Sequence, residues 1–308
     1  MPFLRAFGSF VPTRVVGNEE LAARLGCEAE WIRDVSGIAE RRYADAAETV
    51  AEMGVRAAGD CLGRAGVDAK SIGCVIVSSG SFERRFPGPA AEVAARLGIG
   101  GAPAFDLPIA SAGSLFGIAL AAEVAERCGP VLVVASEKMS SVMEGAPLDK
   151  NTAILFGDGA GACLVDPREG LAQIERWRLH SDGSFAANLR LEFNQALYMD
   201  GRTVILQAAR KIPAVIREVL GESAPASVGT FLMHQANQNL ILKIARTLEV
   251  APERFFSNIA RYGNTSSASL LIAAAEWNAQ HGFTRGESVV LAVFGAGFHW
   301  GAMLAVGL

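Results

Sequence analysis

At 308 residues, with 51% hydrophobic and 19% charged side chains, the chain is long enough to bury a large core, either as one α/β unit or as two fused halves. A formal net charge of −4, with no Lys/Arg run longer than two residues, argues against a nucleic-acid groove or a polybasic membrane patch. No apolar stretch reaches about 18 unbroken residues and the N-terminus lacks the pattern of a signal peptide, so a cytoplasmic location with no membrane contact is expected.

The five cysteines (Cys27, Cys61, Cys74, Cys128 and Cys163) are scattered, without a CxxC or a histidine at ligand spacing. They read as buried small hydrophobes, and neither a disulfide framework nor a metal site is expected. Residues 1 to 50 read as an edge strand over Met1 to Val11 followed by short helices, the first starting at Asn18 and reaching about Leu25. Trp31 lies in the next segment, where packing is the commoner role. Thr49 to Ala65 is an alanine-rich amphipathic helix stopped by Gly66, and Ile72 to Ser78 is a continuous apolar strand suited to a sheet covered on both faces. The loop Ser79 to Pro89, with Phe82, Arg84, Arg85 and Phe86, leaves the carboxyl end of that strand, where α/β proteins place ligand contacts. Its plainer reading is a connector. Ala90 to Leu97 is helical and Gly98 to Gly101 stops it.

The stretch Phe105-Asp-Leu-Pro-Ile-Ala-Ser-Ala-Gly-Ser-Leu-Phe-Gly117 runs a buried strand into a helix, with Leu115, Ile118, Ala119 and Ala122 at helical spacing. Ser111 stands at the joint, where unpaired N–H groups and the positive end of the helix dipole favour developing negative charge. Taken alone, a serine there is more often an N-cap. The helix runs to about Cys128 and a third buried strand follows over Val131 to Ala135. Phe156-Gly-Asp-Gly-Ala-Gly-Ala and Phe294-Gly-Ala-Gly-Phe-His-Trp-Gly each place a glycine-rich turn after a strand and before a second apolar strand. This repetition predicts two duplicated βαβ-type halves, residues 1–167 and 168–308. Neither glycine run has a nucleotide-binding frame. In the second half, His234 ends the strand Gly229 to Met233 and Asn264 precedes a helix. Each alone suits a structural role, but a duplication that brings both to Ser111 makes a catalytic constellation.

Five stretches, Phe105-Asp-Leu-Pro-Ile-Ala-Ser-Ala-Gly, Phe156-Gly-Asp-Gly-Ala-Gly-Ala, His234-Gln-Ala-Asn237, Gly263-Asn-Thr-Ser-Ser-Ala-Ser269 and Phe294-Gly-Ala-Gly-Phe-His-Trp-Gly, make the whole chain resemble the β-ketoacyl-acyl-carrier-protein synthase III family of condensing enzymes. The resemblance implies a thiolase-like, five-layered αβαβα fold, an obligate homodimer, and a Cys-His-Asn site that condenses an acyl thioester with a malonyl thioester on acyl carrier protein. Ser111 occupies the position of the nucleophilic cysteine. A serine hydroxyl needs a base to take its proton, and His234 is the base that the matched stretches supply.

Three readings follow. In the favoured one, Ser111 takes an acyl group from acyl-CoA, which enters as a substrate with no further cofactor. The backbone N–H groups of Ser111, Ala296 and Gly297 hold the oxyanion, and His234 and Asn264 stabilise the enolate of a decarboxylating malonyl thioester. In the second, the acyl group passes to an alcohol, amine or carrier-protein thiol without a carbon–carbon bond. In the third, the chain is a non-catalytic partner subunit. The resemblance further implies CoA contacts at Trp31, Lys150 and Asn237, with Arg33 standing in for a family arginine that is Val35 here. Lys243, Arg246, Arg202 and Arg210 remain of a basic patch for an acidic carrier protein. Phe86 matches the residue that closes the acyl pocket of the partner protomer.

Overall fold

The structure is a computed structural model and describes residues 1–143, 149–192 and 195–308. Strand β1 (Phe3–Phe10) opens the chain, and β2 (Arg14–Gly17) pairs with β3 (Glu40–Tyr43) beside helices α1 (Asn18–Leu25) and α2 (Ala29–Ser36). Helix α3 (Val50–Ala65) begins on Thr49, whose hydroxyl accepts the Glu52 N–H at 3.1 Å, and stops at Gly66 in left-handed backbone. There follow β4 (Cys74–Ser78), α4 (Pro89–Arg96), β5 (Ala104–Leu107), α5 (Gly113–Cys128), β6 (Val131–Lys138), α6 (Met139–Met143), α7 (Lys150–Ala153) and β7 (Asp158–Asp166). The second part of the chain begins with β8 (Ala172–Ser181), β9 (Leu189–Arg190), β10 (Tyr198–Met199), α8 (Gly201–Leu220) and β11 (Thr230–Met233). It closes with α9 (Gln238–Leu248), β12 (Phe255–Phe256), α10 (Ile259–Tyr262), α11 (Ser269–Gln280), β13 (Ser288–Gly295) and β14 (His299–Gly307).

The large sheet runs β12-β11-β13-β14-β8-β1-β7-β6-β4-β5. Outward from its centre, β1-β7-β6-β4-β5 and β8-β14-β13-β11-β12 carry the same succession of two antiparallel and two parallel pairings. The two arms are joined through Phe3↔Gln173 and Leu4↔Ala172.

Side-chain alternation along the strands builds the layers. In β6, Val131, Val133 and Ala135 face a core shared with α5 and α11, whereas Leu132 and Val134 face α3 and α4. In β13, Val289, Leu291 and Val293 face the same central core, whereas Val290, Ala292 and Phe294 pack against α8 and α9. Helices α5 and α11 therefore lie between the arms and α3/α4 and α8/α9 cover the outside, which makes the five-layered αβαβα arrangement.

Several local expectations are corrected. The strand before Ser111, β5, is a half-exposed edge strand rather than a buried one, and Cys128 is exposed and Cys27 half-buried, unlike the other three cysteines. Strand β1 is not an edge strand but is paired on both sides. Its edge-like composition has specific causes: Arg5 reaches the buried Asp166 at 2.7 Å, and a Cβ on Gly8 would lie 2.2 Å from Cys61 N of α3. Of the glycines after Phe156, Gly159 and Gly161 stand inside β7 rather than in a turn ahead of it, whereas Gly295 ends β13 and Ala296 to Phe298 do join it to β14. A Cβ on Gly161 would lie 2.5 Å from Leu271 Cβ and 2.9 Å from Ile272 N, so the glycine lets the α11 backbone approach the strand. Gly161→Ala is therefore expected to lower the unfolding free energy by about 1–3 kcal/mol through overpacking, read from the urea midpoint at constant slope.

Candidate active site

Ser111 lies between β5 and α5 with φ of 63°, in the left-handed region. The residue at the helix N-cap is Ala112, with no side-chain cap bond, so the N-cap reading of Ser111 fails. A non-glycine residue held in this region costs about 1–3 kcal/mol and persists only where its surroundings fix it. Gly295, the last residue of β13, supplies that support: a Cβ there would lie 2.1 Å from Ala110 O and 2.8 Å from Ala112 N. The Ser111 N–H donates to Ser266 Oγ at 3.1 Å. Ser266 has φ of 47°, so two left-handed non-glycine residues, one from each arm, are tied to each other.

The Ser266 N–H in turn donates to Asn264 Oδ1 at 2.9 Å. This spends the carboxamide oxygen and leaves Nδ2 as the donor of a residue that lines the cavity. The Asn264 backbone is pinned by its N–H to Leu155 O (2.8 Å) and by Gly157 N–H to its own carbonyl (3.1 Å). His234 follows β11 directly. Its Nδ1 lies 2.6 Å from Ser269 Oγ, which also accepts the Gln235 N–H at 3.1 Å. A hydroxyl can donate to or accept from Nδ1, so either tautomer of the imidazole is supported.

Burial lowers the His234 pKa from 6.5 to about 4, against a smaller opposing effect of the Ser266 backbone, and the ring is neutral at physiological pH. The sign of the linkage follows. Below about 6.5 the unfolded imidazole binds a proton that the native one refuses, so this contribution is fully present above that pH and is lost as pH falls toward 4. It amounts to about 3 kcal/mol. Urea unfolding at pH 7 and at pH 5 should show a smaller loss of stability for His234→Gln than for the parent chain.

Ser111, His234, Asn264 and Ser266 line one cavity of about 140 Å3, whose wall continues outward through Leu189, Val204, Ile205 and Leu240. Ser111 Oγ makes no hydrogen bond to the His234 ring, whose side-chain partner is Ser269. Of the expected oxyanion donors, Ala296 reaches the cavity wall, Gly297 lies outside it, and the Ser111 N–H is committed to Ser266.

The residues matched to CoA contacts divide. Lys150 Nζ stands 5.5 Å from the Trp31 ring centre, and Trp31 packs against the same small cluster of Leu21, Ala22, Ile32 and Ile154 as Leu155, which borders the cavity. Arg33 is exposed on α2 and off the cavity wall. Asn237 lines the cavity, but its Oδ1 caps α9 at Asn239 N (2.8 Å) and its Nδ2 donates to Val35 O (2.8 Å). That side chain therefore ties α9 to α2. Phe86, 85% exposed, borders a second groove that shares Gly80, Ala110 and Ala296 with the first.

Three contributors had gone unassigned: Ser266, Ser269 and Glu137. Glu137 is fully buried at the end of β6 and accepts from Ser81 Oγ (2.6 Å), Gly80 N (3.0 Å) and Ser267 Oγ (2.6 Å). The signal for the serines was present in Ser266-Ser267-Ala-Ser269, three hydroxyls opening an otherwise apolar helix, because a buried imidazole and a buried carboxylate both require such partners.

A hydroxyl in left-handed backbone at a strand-to-helix joint, an imidazole and a carboxamide thus meet between two arms of an αβαβα, thiolase-like fold. Residues 105–183 match the family 3-oxoacyl-[acyl-carrier-protein (ACP)] synthase III and residues 221–306 match its C-terminal part. The β-ketoacyl-[acyl-carrier-protein] synthase III of Chlamydia caviae is 34% identical over 97% of this chain and 95% of its own. The crystal structure of the Aquifex aeolicus 3-oxoacyl-[acyl-carrier-protein] synthase III superposes with a TM-score of 0.95 at 32% identity, covering 99% of this chain and 100% of that one. The priming β-ketosynthase of a polyketide biosynthetic pathway gives 0.92 at 31% identity, covering 100% and 96%. The chain belongs to the 3-oxoacyl-[acyl-carrier-protein] synthase III family.

Proposed function

We propose that the chain transfers an acyl group from acyl-CoA to Ser111 and condenses it, with loss of CO2, with a malonyl thioester carried on acyl carrier protein. The observation that carries this reading is the convergence of Ser111, His234 and the free Nδ2 of Asn264 on one apolar-walled cavity. In the first step, Ser111 Oγ adds to the thioester carbon as His234 takes its proton, and the CoA thiolate leaves with that proton. In the second, His234 and Asn264 donate to the malonyl thioester carbonyl, so the electron pair released with CO2 rests on an oxygen they hold. The resulting carbanion attacks the acyl-serine carbon, the carbon–oxygen bond to Ser111 breaks, and the serine oxygen takes a proton from solvent to restore the hydroxyl.

Trp31 and Lys150, facing each other beside the cavity, fit the adenine end of CoA. Lys243, Arg246, Arg202 and Arg210 fit an acidic carrier protein. The edge strand β5 leaves Phe105 52% exposed, and Phe86 stands out of a nearby loop. These exposed aromatic side chains are what a second copy would cover in a homodimer, and light scattering should return twice the chain mass. The matching pairing order of the arms supports two related halves that divide near Pro167.

The test is intact-protein mass spectrometry after incubation with a panel of acyl-CoAs, for the parent and for Ser111→Ala, with malonyl-carrier protein added afterwards. An adduct on the parent alone that is discharged with CO2 release is the expected result. Discharge only to an alcohol, amine or thiol would make the chain a simple acyltransferase, and no adduct with any donor would overturn the reading.

A further inference from the structure

Glu137, near the end of β6, has no exposed surface and joins two segments that lie far apart in the chain. Its Oε2 accepts from Gly80 N–H (3.0 Å) and Ser81 Oγ (2.6 Å), on the loop that follows β4. Its Oε1 accepts from Ser267 N–H (3.3 Å) and Ser267 Oγ (2.6 Å), ahead of α11. Each oxygen thus faces one backbone N–H, a group that can only donate. A carboxylate accepts on both oxygens, whereas a carboxamide would set its NH2 against one of those N–H groups and leave buried donors unpaired.

One end of this tie is cavity wall. Gly80 lines both the cavity that holds Ser111 and the second groove, and a Cβ on it would lie 3.0 Å from the Cβ of Ala110, the residue before Ser111. An acyl group on Ser111 lies against that wall. The other end, Ser267, stands between the residues that hold the two polar groups: Ser266, whose N–H donates to Asn264 Oδ1, and Ser269, whose Oγ lies beside His234 Nδ1. A single buried side chain therefore fixes the wall beside the nucleophile to the segment that aims the imidazole and the carboxamide.

We propose that Glu137 is a positioning residue with two separable effects: through Gly80 and Ser81 it sets which acyl groups Ser111 accepts, and through Ser267 it sets the reach of His234 and Asn264 to the malonyl thioester. It touches no reacting atom.

This rests on acyl transfer to Ser111, and the test separates the two ideas. The parent chain, Glu137→Gln, Ser81→Ala and Ser267→Ala are each followed by adduct mass with acetyl-CoA and with hexanoyl-CoA, and then by CO2 release from malonyl-carrier protein. Ser81→Ala frees the loop end, and is expected to shift the ratio of the two acylation rates about tenfold toward hexanoyl while CO2 release by the acetylated chain stays within about twofold. Ser267→Ala frees the other end, and should slow CO2 release about tenfold with the acylation ratio unchanged within about twofold. Glu137→Gln should show both changes, and the serine variants, which keep the carboxylate, carry the test if it does not fold. A carboxylate that only stabilises the fold would lower the melting temperature and slow both steps in equal proportion with either acyl-CoA, which overturns the proposal while the acyl-serine stands. No adduct on the parent from either acyl-CoA overturns both.

Discussion

Ser111→Cys is expected to raise the rate of acyl-enzyme formation by about 10²-fold or more, because a thiol ionises where a hydroxyl does not. The serine depends on a base, and its base is poor. His234 is pushed down to about 4 by burial, and its ring is hydrogen-bonded to Ser269 rather than to Ser111. A thiolate would need neither the base nor that contact, since the N-terminus of α5 begins two residues further on at Gly113 and favours negative charge there. An acyl-cysteine is also a more activated donor than an acyl-serine, so condensation should gain as well. Rapid-quench mass spectrometry of the two proteins with the same acyl-CoA measures the first gain, and CO2 release measures the second. Equal acylation rates would mean that His234 closes on Ser111 once substrate binds.

Removing the two donors on the other side of the cavity should separate the half-reactions. Asn264→Ala is expected to lower the rate of CO2 release from a malonyl thioester by about 10²–10³-fold while leaving the acyl adduct able to form. His234→Ala should lose both steps, since the same ring takes the Ser111 proton and later holds the enolate oxygen. The double substitution should cost little more than His234→Ala alone, because the two groups hold one oxygen and act as a unit. Adduct mass and 14CO2 release, followed on each variant, give the two readouts. Asn264→Ala also frees the Ser266 N–H that its Oδ1 accepts, so Asn264→Asp, which keeps that acceptor and loses the Nδ2 donor, is the cleaner partner in the comparison.

The parts of this site that could be read from the sequence were those announced by a change of period or by a strand end: Ser111 between a strand and a helix, and His234 after an apolar run. The five layers followed from the family resemblance alone, and the place of β1 did not follow from its composition. Its Arg5 and Gly8 look exposed until Asp166 and α3 are seen beside them. The glycines of β7 misled for a similar reason, since a residue absent for the sake of a neighbouring helix leaves the same letters as a turn. Ser266, Ser269 and Glu137 were hidden because their work is done across the chain: Ser267 reaches Glu137 from 130 residues away and Ser266 reaches Ser111 from 155. Local spacing shows hydroxyls that need partners but carries no trace of which partners they reach.

The two arms of the sheet pair strand to strand at Phe3↔Gln173 and Leu4↔Ala172, and this short seam has a mechanical consequence. Strand pairing gives it little torsional stiffness, so the angle between the arms is borne by the side chains of α5 and α11 wedged between them. Ser111 rides on one arm and His234 and Asn264 on the other. The gap that chemistry must cross is thus set by the thickness of a helix layer together with the direct ties from Ser111 to Ser266, Glu137 to Ser267 and Leu155 to Asn264. Methyl groups added or removed among Ala119, Ala122, Ala274 and Ala275 would act as shims, changing the reach from nucleophile to imidazole without touching either.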